Sequence, residues 1–327
     1  MSTEPEVRES AEARVIPRAA RGDNHWVMAW HRLRRKKLAM ASLVFILVFY
    51  LSGIFAPLLA PYDYAAQDLN ASFQDPSMAH PLGTDRLGRD VLSRLIWGAR
   101  TSVIVSVMSV ITGSIVFGVV MGLLAGYFGR WVDTAIMRVG EIFLAFPDIL
   151  LVILIAATLR PRVVEIVGNI ERATGIKGLV DSGAADYFVV FGALSVFSWV
   201  GMARLIRGQI LTLRTLDFVN AAISLGASHK RIMFVHLLPN ALNLILVSVT
   251  MGLGAAIGSE LVLSWLGIGI RPPTPSLGVM IYENQGIQQF LAHPHVLIAP
   301  ISVVSLVFFA FNLFGEGLVD ALNPRAR

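Results

Sequence analysis

Residues 38–60 read LAMASLVFILVFYLSGIFAPLLA, 23 residues without a charged side chain. A helix rises about 1.5 Å per residue, so about 20 mostly apolar residues cross a hydrocarbon layer of about 30 Å. This stretch reaches that length. It is also too long for the apolar centre of a secretion signal, about 7–15 residues, and no cleavage is expected. Residues 103–126 supply 24 more without a charge. Four further spans are expected over 133–159, which carries Asp148 after Pro147, over 187–203, over 237–263, interrupted by Glu260, and over 296–319, with Glu316 near its end. The fold expected is an all-α membrane protein with six transmembrane helices.

Composition agrees with that reading. Of 327 residues 55% are hydrophobic and 15% charged, with a mean hydropathy of +0.67. Soluble domains carry about 25% charged residues, because their surface must face water. The chain has no cysteine, which excludes disulfides, cysteine-ligated zinc, iron–sulfur clusters and thiol catalysis. The net charge of +5 comes from basic loops, and no nucleic-acid partner is expected. Of the 27 Lys and Arg, 18 fall on the side holding both termini and nine on the other. By the positive-inside rule both termini are expected in the cytoplasm.

The chain then divides as follows. Residues 1–37 form a cytoplasmic N-terminal segment, with about the first 25 residues expected to be disordered. Residues 38–60 are the first span, and 61–102 an extracytoplasmic loop. In that loop Val91, Leu92, Leu95 and Ile96 share one face of a short interfacial helix leading into the second span, with Ser93, Arg94 and Arg100 elsewhere. Residues 103–319 form a five-helix core containing a cytoplasmic loop at 204–236, and 320–327 a cytoplasmic tail. Residues 160–186 read as a mixed-charge loop with one or two amphipathic turns. Gly118, Gly122 and Gly126, and again Gly254 and Gly258, are spaced for close helix packing within the subunit.

Little of the polar chemistry points to catalysis. There is no phosphate-cradling loop, no zinc-protease pair and no Ser/His/Asp order, so no cofactor and no ATP site of the chain's own is expected. His293 and His295 are two ligands at most, which close no metal site, and read as a solvated loop pair. Acidic residues in spans are functional suspects by default. Asp148, at the Pro147 break, Glu260 and Glu316 each stand close enough to an interface that hydration suffices. Of the three, Glu260 is the foremost candidate for lining a substrate path.

The informative loop reads Asp217 to Ile232 as a short helix, a turn at Gly226 and a second short helix, with Pro239 opening the fifth span. Such an elbow suits docking into another protein's groove. Its residues Ala221, Ala222, Gly226, Leu238 and Pro239 resemble the EAA motif of ABC-importer permeases, with Asn220 in place of the motif's Glu and His236 in place of its Ile. Trp30 to Ala39 with Phe55 to Tyr62 is similar to the N-terminal segment of the dipeptide/oligopeptide/nickel permeases. His80 to Asp85 with Leu87 to Arg94, Leu263 to Gly267, Pro272 to Ser276 and Phe311 to Arg325 resemble that group's C-type subunit.

The resemblance implies a type I ABC-importer permease fold in a bacterial or archaeal plasma membrane. It implies a heterodimer with a related B-type permease, two cytoplasmic ATP-binding subunits and an extracytoplasmic solute-binding protein. Asn220, Ala221, Ala222, Gly226, Leu238 and Pro239 would then couple ATP hydrolysis in those partners to transport, with no catalysis in this chain. Small residues at Ala221, Ala222 and Gly226 would let the partner's backbone approach. Di- or oligopeptides are the expected cargo, with nickel, glutathione or oligosaccharides as alternatives. A secondary carrier is the rival of another class. It would place ionisable groups near the midplane and show repeats or broken helix pairs, of which only the Pro147-Asp148 break is visible.

Overall fold

The computed structural model describes residues 25–322 apart from 177 and 181. The N-terminal stretch expected to be disordered lies outside the described residues, as do the last five residues of the tail.

Helix α1 (His25–Arg35) precedes α2 (Lys37–Ile54) and the short α3 (Ala56–Leu59). The first span is therefore interrupted at Phe55, two residues before Pro57, whose ring nitrogen has no hydrogen to continue the ladder. Helix α4 (Val91–Ser109), a π-helical stretch (Val110–Val119) and α5 (Val120–Phe128) form one rod of 38 residues. Helices α6 (Arg130–Leu144) and α7 (Asp148–Thr174) meet at 88° across the Pro147 break. Helix α8 (Ala184–Leu213) leads to α9 (Asp217–Ser224). Then α10 (His229–Arg231), a second π stretch (Ile232–Leu237) and α11 (Leu238–Trp265) make a rod of 37 residues. Two short helices, α12 (Leu277–Glu283) and α13 (Ile287–Ala292), precede α14 (Pro294–Leu322). Five helices are long and apolar enough to cross a membrane, and the count is six if the bent α6–α7 pair is one span.

Three expectations need correction. The helix expected to lead into the second span does so as one continuous rod, but it is not interfacial, since Ser93 and Arg94 are buried at 0% and 1% exposure. Residues 160–174 are the end of α7 rather than a loop, so the connection to α8 covers only 175–183. The second helix of the elbow does not stop before the fifth span. It runs into it through the π stretch, with Pro239 in the first turn of α11, where a missing N–H costs least.

Helix α8 lies at the centre, with Val190, Ala203, Ile206 and Ile210 all at 0% exposure. The α4–α5 rod packs on it through the expected glycines. A Cβ on Gly122 would stand 2.6 Å from the Ala203 carbonyl oxygen, and one on Gly126 2.7 Å from Ile210 Cβ. Gly254 and Gly258 likewise admit the rings of Phe311 and Phe308. Both glycine rows therefore serve packing inside the subunit.

The two ends of the bundle differ. At one, Lys36 pairs with Asp320, Tyr127 Oη bonds His229 Nδ1 at 2.7 Å, and Arg214 donates to the Gly126 carbonyl at 3.0 Å. At the other, Thr101 donates to the Pro275 carbonyl at 2.7 Å and bonds the Tyr187 hydroxyl at 3.0 Å. Arg160 pairs there with Asp186 and donates to the carbonyls of Ile268 and Gly269, tying α7 and α8 to the segment after α11. Helices α1 and α14 thus bring both ends of the described chain to one side of the bundle.

Candidate functional site

Three places concentrate the polar chemistry: a cap at the end away from the termini, a cavity halfway along α8, and the elbow.

The cap is built from the stretch His80 to Arg94. Gly83 (φ +73°) and Gly88 (φ +70°) turn the chain where L-side chains are strained, and Asp90 caps α4 by accepting from Ser93 N at 2.7 Å. Asp85 accepts from Arg89 Nε at 2.7 Å and from Arg94 at 2.6 Å. Glu283, on α12, accepts from Arg89 at 2.8 Å and from Arg94 at 2.9 Å. Two guanidinium groups and two carboxylates therefore balance in a site where Asp85, Arg89 and Arg94 are 1–3% exposed. Sequence reading marked the first three residues as part of a motif but did not find Glu283, 194 residues from Arg89. No periodic signal links them.

His293 and His295 are not a solvated pair. The His293 ring stacks on Phe73 at 4.4 Å and 4°, and Nδ1 of His293 and Nε2 of His295 are buried without hydrogen-bond partners. Among the described residues no three metal-ligating side chains cluster.

Glu260 is not hydrated either. It is 0% exposed, accepts from Ser264 Oγ at 2.7 Å and lies 3.4 Å from Ser102 Oγ. The hydroxyls join α11 to α4, and Glu260 is absent from the cavity wall, whose nearest residues on α11 are Ser259 and Leu263. Glu316 is exposed on α14.

An open cavity of about 550 Å³ lies between the first π stretch, the start of α7, the middle of α8 and α11. Phe197, Met202, Met251 and Leu263 give it apolar walls, and Asp148 reaches it from the Pro147 break.

The elbow closes on itself by a Schellman turn. Ala227 N donates to the Ala222 carbonyl at 3.0 Å and Gly226 N to the Ile223 carbonyl at 2.9 Å, with Gly226 at φ +77°. Val219 (1% exposed) and Ala222 (8%) face inward, with Val219 packed among Leu213, Ile232, Met233 and Leu237. Ala222 is therefore largely covered within its own chain. Asn220, Ala221 and Gly226 are exposed, Leu238 is half-buried and Pro239 exposed. Beside them Phe218, Ile223 and Leu225 turn apolar surface outward, Leu225 with 89% exposure. Sequence reading missed these larger residues because it followed the motif's small positions.

The helix set matches a known class. Residues 118–327 match the family described as binding-protein-dependent transport system inner membrane component, and the chain belongs to that family. Residues 24–76 match the N-terminal TM domain of oligopeptide transport permease C. The chain is 37% identical over 302 residues to the dipeptide transport system permease protein DppC of Alkalihalophilus pseudofirmus, covering 92% of this chain and 90% of the relative. It is 36% identical over 303 residues to the glutathione transport system permease protein GsiD of Pectobacterium atrosepticum, covering 92% of each. It is 35% identical over 302 residues to the oligopeptide transport system permease protein OppC of Bacillus subtilis, covering 92% of this chain and 90% of the relative. The chain is accordingly a multi-pass inner-membrane component of a binding-protein-dependent transporter.

Proposed function

We propose that this chain is the C-type permease subunit of an ATP-driven importer of di- or oligopeptides. A related B-type permease completes the channel, two cytoplasmic subunits hydrolyse ATP, and an external solute-binding protein delivers the cargo. The chain itself carries no catalytic step. The substrate class rests on the relatives, whose names give dipeptides, oligopeptides and glutathione, itself a tripeptide.

The observation that carries the reading is the elbow. Its outer face offers Phe218, Ile223 and Leu225 to a partner, while its inner face is locked through Val219 onto α8 and the π stretch that opens α11. A push on α9 is thus passed to two spans at once, which is what coupling between two sites requires. Asn220, Ala221 and Gly226 form the exposed rim of that contact, with Ala222, Leu238 and Pro239 as its support. With a neutral amide at 220, the contact is less salt-sensitive than a Glu–Arg pair.

In this reading the end bearing α1 and the elbow is cytoplasmic. Because the chain has no cysteine, Ser72→Cys and Ser182→Cys place single thiols at exposed positions of the opposite end. Both should react with an impermeant maleimide added outside intact cells, and labelling confined to inverted vesicles would reverse the topology. The transport reading is tested with the assembled complex in proteoliposomes. Uptake of labelled trialanine should need ATP and the binding protein together. Uptake driven by a proton gradient without ATP would establish the carrier instead.

A further inference from the structure

Helix α1 carries a surface that neither the elbow nor the cap explains. It reads HWVMAWHRLRR, and Lys36 and Lys37 follow. Ala29 (7% exposed) and Leu33 (4%) form its inner side, with Leu33 packed against Ala39 and Ala321. That contact fixes its position. A Cβ on Gly317 of α14 would meet both Ala39 Cβ and Leu33 Cδ1. One straight helix would hold residues 33 and 39 about 9 Å apart along its axis. The chain bends instead at Lys36, which is extended at φ −90° and ψ 93°. Helix α1 is therefore folded against the end of α14 rather than prolonging α2 into water.

Two kinds of side chain are left outward. Trp26, Val27, Met28 and Trp30 are 40–46% exposed, and the two tryptophans, four residues apart, share one side of the helix. Arg34, Arg35 and Lys37 are exposed as well. With Arg32 and Lys36, five cations stand within six residues, and no Asp or Glu occurs from residue 24 to residue 62. Lys36 pairs with Asp320, and Glu316 is the other acidic residue of α14, so the balance at this end of the two helices is positive. The level of the surface follows from α2. Residues 38–62 carry no charge and Leu38 is 70% exposed, so hydrocarbon begins next to Lys37. Helix α1 ends two residues before it, at the depth of the lipid headgroups.

We propose that α1 is an interfacial anchor for anionic phospholipid, in which Trp26 and Trp30 enter the boundary between headgroups and acyl chains and Arg32, Arg34, Arg35 and Lys37 bind lipid phosphates. Tryptophan concentrates at that boundary, and Lys/Arg clusters beside a span attract anionic headgroups. A protein partner would have to cover this surface at the level where lipid already surrounds α2, so lipid is the occupant that the geometry favours. Because Leu33 and Lys36 join α1 to α14, the anchor also holds the first and last spans together where they leave the bilayer. The inference needs only that the chain spans a membrane, and it goes beyond the importer reading without depending on the cargo.

The test uses the complete transporter in proteoliposomes. Val27→Cys, in a chain without cysteine, carries an environment-sensitive fluorophore on the outward side of α1, with the wild-type complex as the control for partner thiols. Lipids brominated near the glycerol should quench the probe more than lipids brominated near the end of the acyl chain. At equal mole fraction, brominated phosphatidylglycerol should occupy the site at least about fivefold more often than brominated phosphatidylcholine, the ratio equivalent to the contribution of one basic residue at an anionic surface. Arg34→Gln/Arg35→Gln, at two exposed positions outside the packed side, should lose most of that preference while the depth of the probe is kept. Raising salt to about 0.5 M should do the same, since headgroup attraction is screened. Equal quenching by the two lipids at low salt overturns the anionic site. A probe quenched by aqueous iodide and by neither lipid overturns the anchor altogether and gives the face to water or to a protein.

Discussion

Replacing Arg94 by methionine is expected to destabilise the subunit by about 3–5 kcal/mol, the usual loss when one partner of a buried ion cluster is removed. The substitution preserves most of the side-chain volume, so the effect is electrostatic. It leaves Asp85 and Glu283, two carboxylates, to share the single guanidinium of Arg89 in a site almost closed to water. Transferring an unbalanced charge out of water costs several kcal/mol, which no surface contact of this subunit offsets. Removing the carboxylate as well should recover much of the loss. In Arg94→Met/Glu283→Gln the remaining Arg89–Asp85 pair is balanced, and the glutamine oxygen can still accept from Arg89. Thermal unfolding of the purified subunit in detergent measures Arg94→Met, Glu283→Gln and the double variant. A double-mutant coupling above about 1 kcal/mol is expected, and strict additivity would show that the four groups do not act as one unit. The cluster ties the loop before α4 to α12, so the single variant should also expose that loop to protease.

This cluster illustrates where the sequence stops being informative. Spans were legible because lipid demands a length of apolar side chains that local counting detects. Their ends were not, since counting stops at the first charge. Arg100 ends the apolar run before Val103, yet the α4 helix continues back through it and through Arg94, which Asp85 and Glu283 neutralise from other parts of the chain. Arg160 likewise marked the start of an expected loop, while Asp186 and two carbonyls hold it inside α7. Punctuating residues were read better when their effect was local. Pro147 breaks a helix, and Gly226 takes the left-handed turn, because φ restrictions act within one or two residues. Glu260 was misjudged for the opposite reason. Its depth along the helix was right, but the hydroxyls of Ser102 and Ser264 that replace water come from packing. In the elbow the small residues were visible as a motif. That Ala222 faces inward and Leu225 outward depends on how α9 is laid against the π stretch that opens α11, which no spacing within the loop records.

The largest functional effect is expected at that outward face. Leu225 is 89% exposed, so Leu225→Asp costs the free subunit little. In a docked complex the same leucine would be buried, which contributes about 1.5–3 kcal/mol. Its loss should weaken ATPase capture roughly 10- to 150-fold. Gly226→Val acts on the turn rather than the face. A Cβ there meets nothing within 4 Å, so the cost is conformational, on the order of 1–2 kcal/mol for a left-handed residue. It should misplace α9 and reduce coupling more than capture. Ala222→Trp, in contrast, should destabilise the subunit itself, since its side chain is enclosed by its own chain.

The most direct measurement is substrate-stimulated ATP hydrolysis by the reconstituted complex carrying Leu225→Asp, run beside a pull-down of the ATPase subunits. If the elbow carries the coupling, the variant folds and inserts as the wild type does, binds the ATPases at least tenfold more weakly and loses most of the peptide-stimulated rate. A Leu225→Asp complex with wild-type ATPase binding and full stimulation by peptide would contradict it and make the elbow a connecting loop.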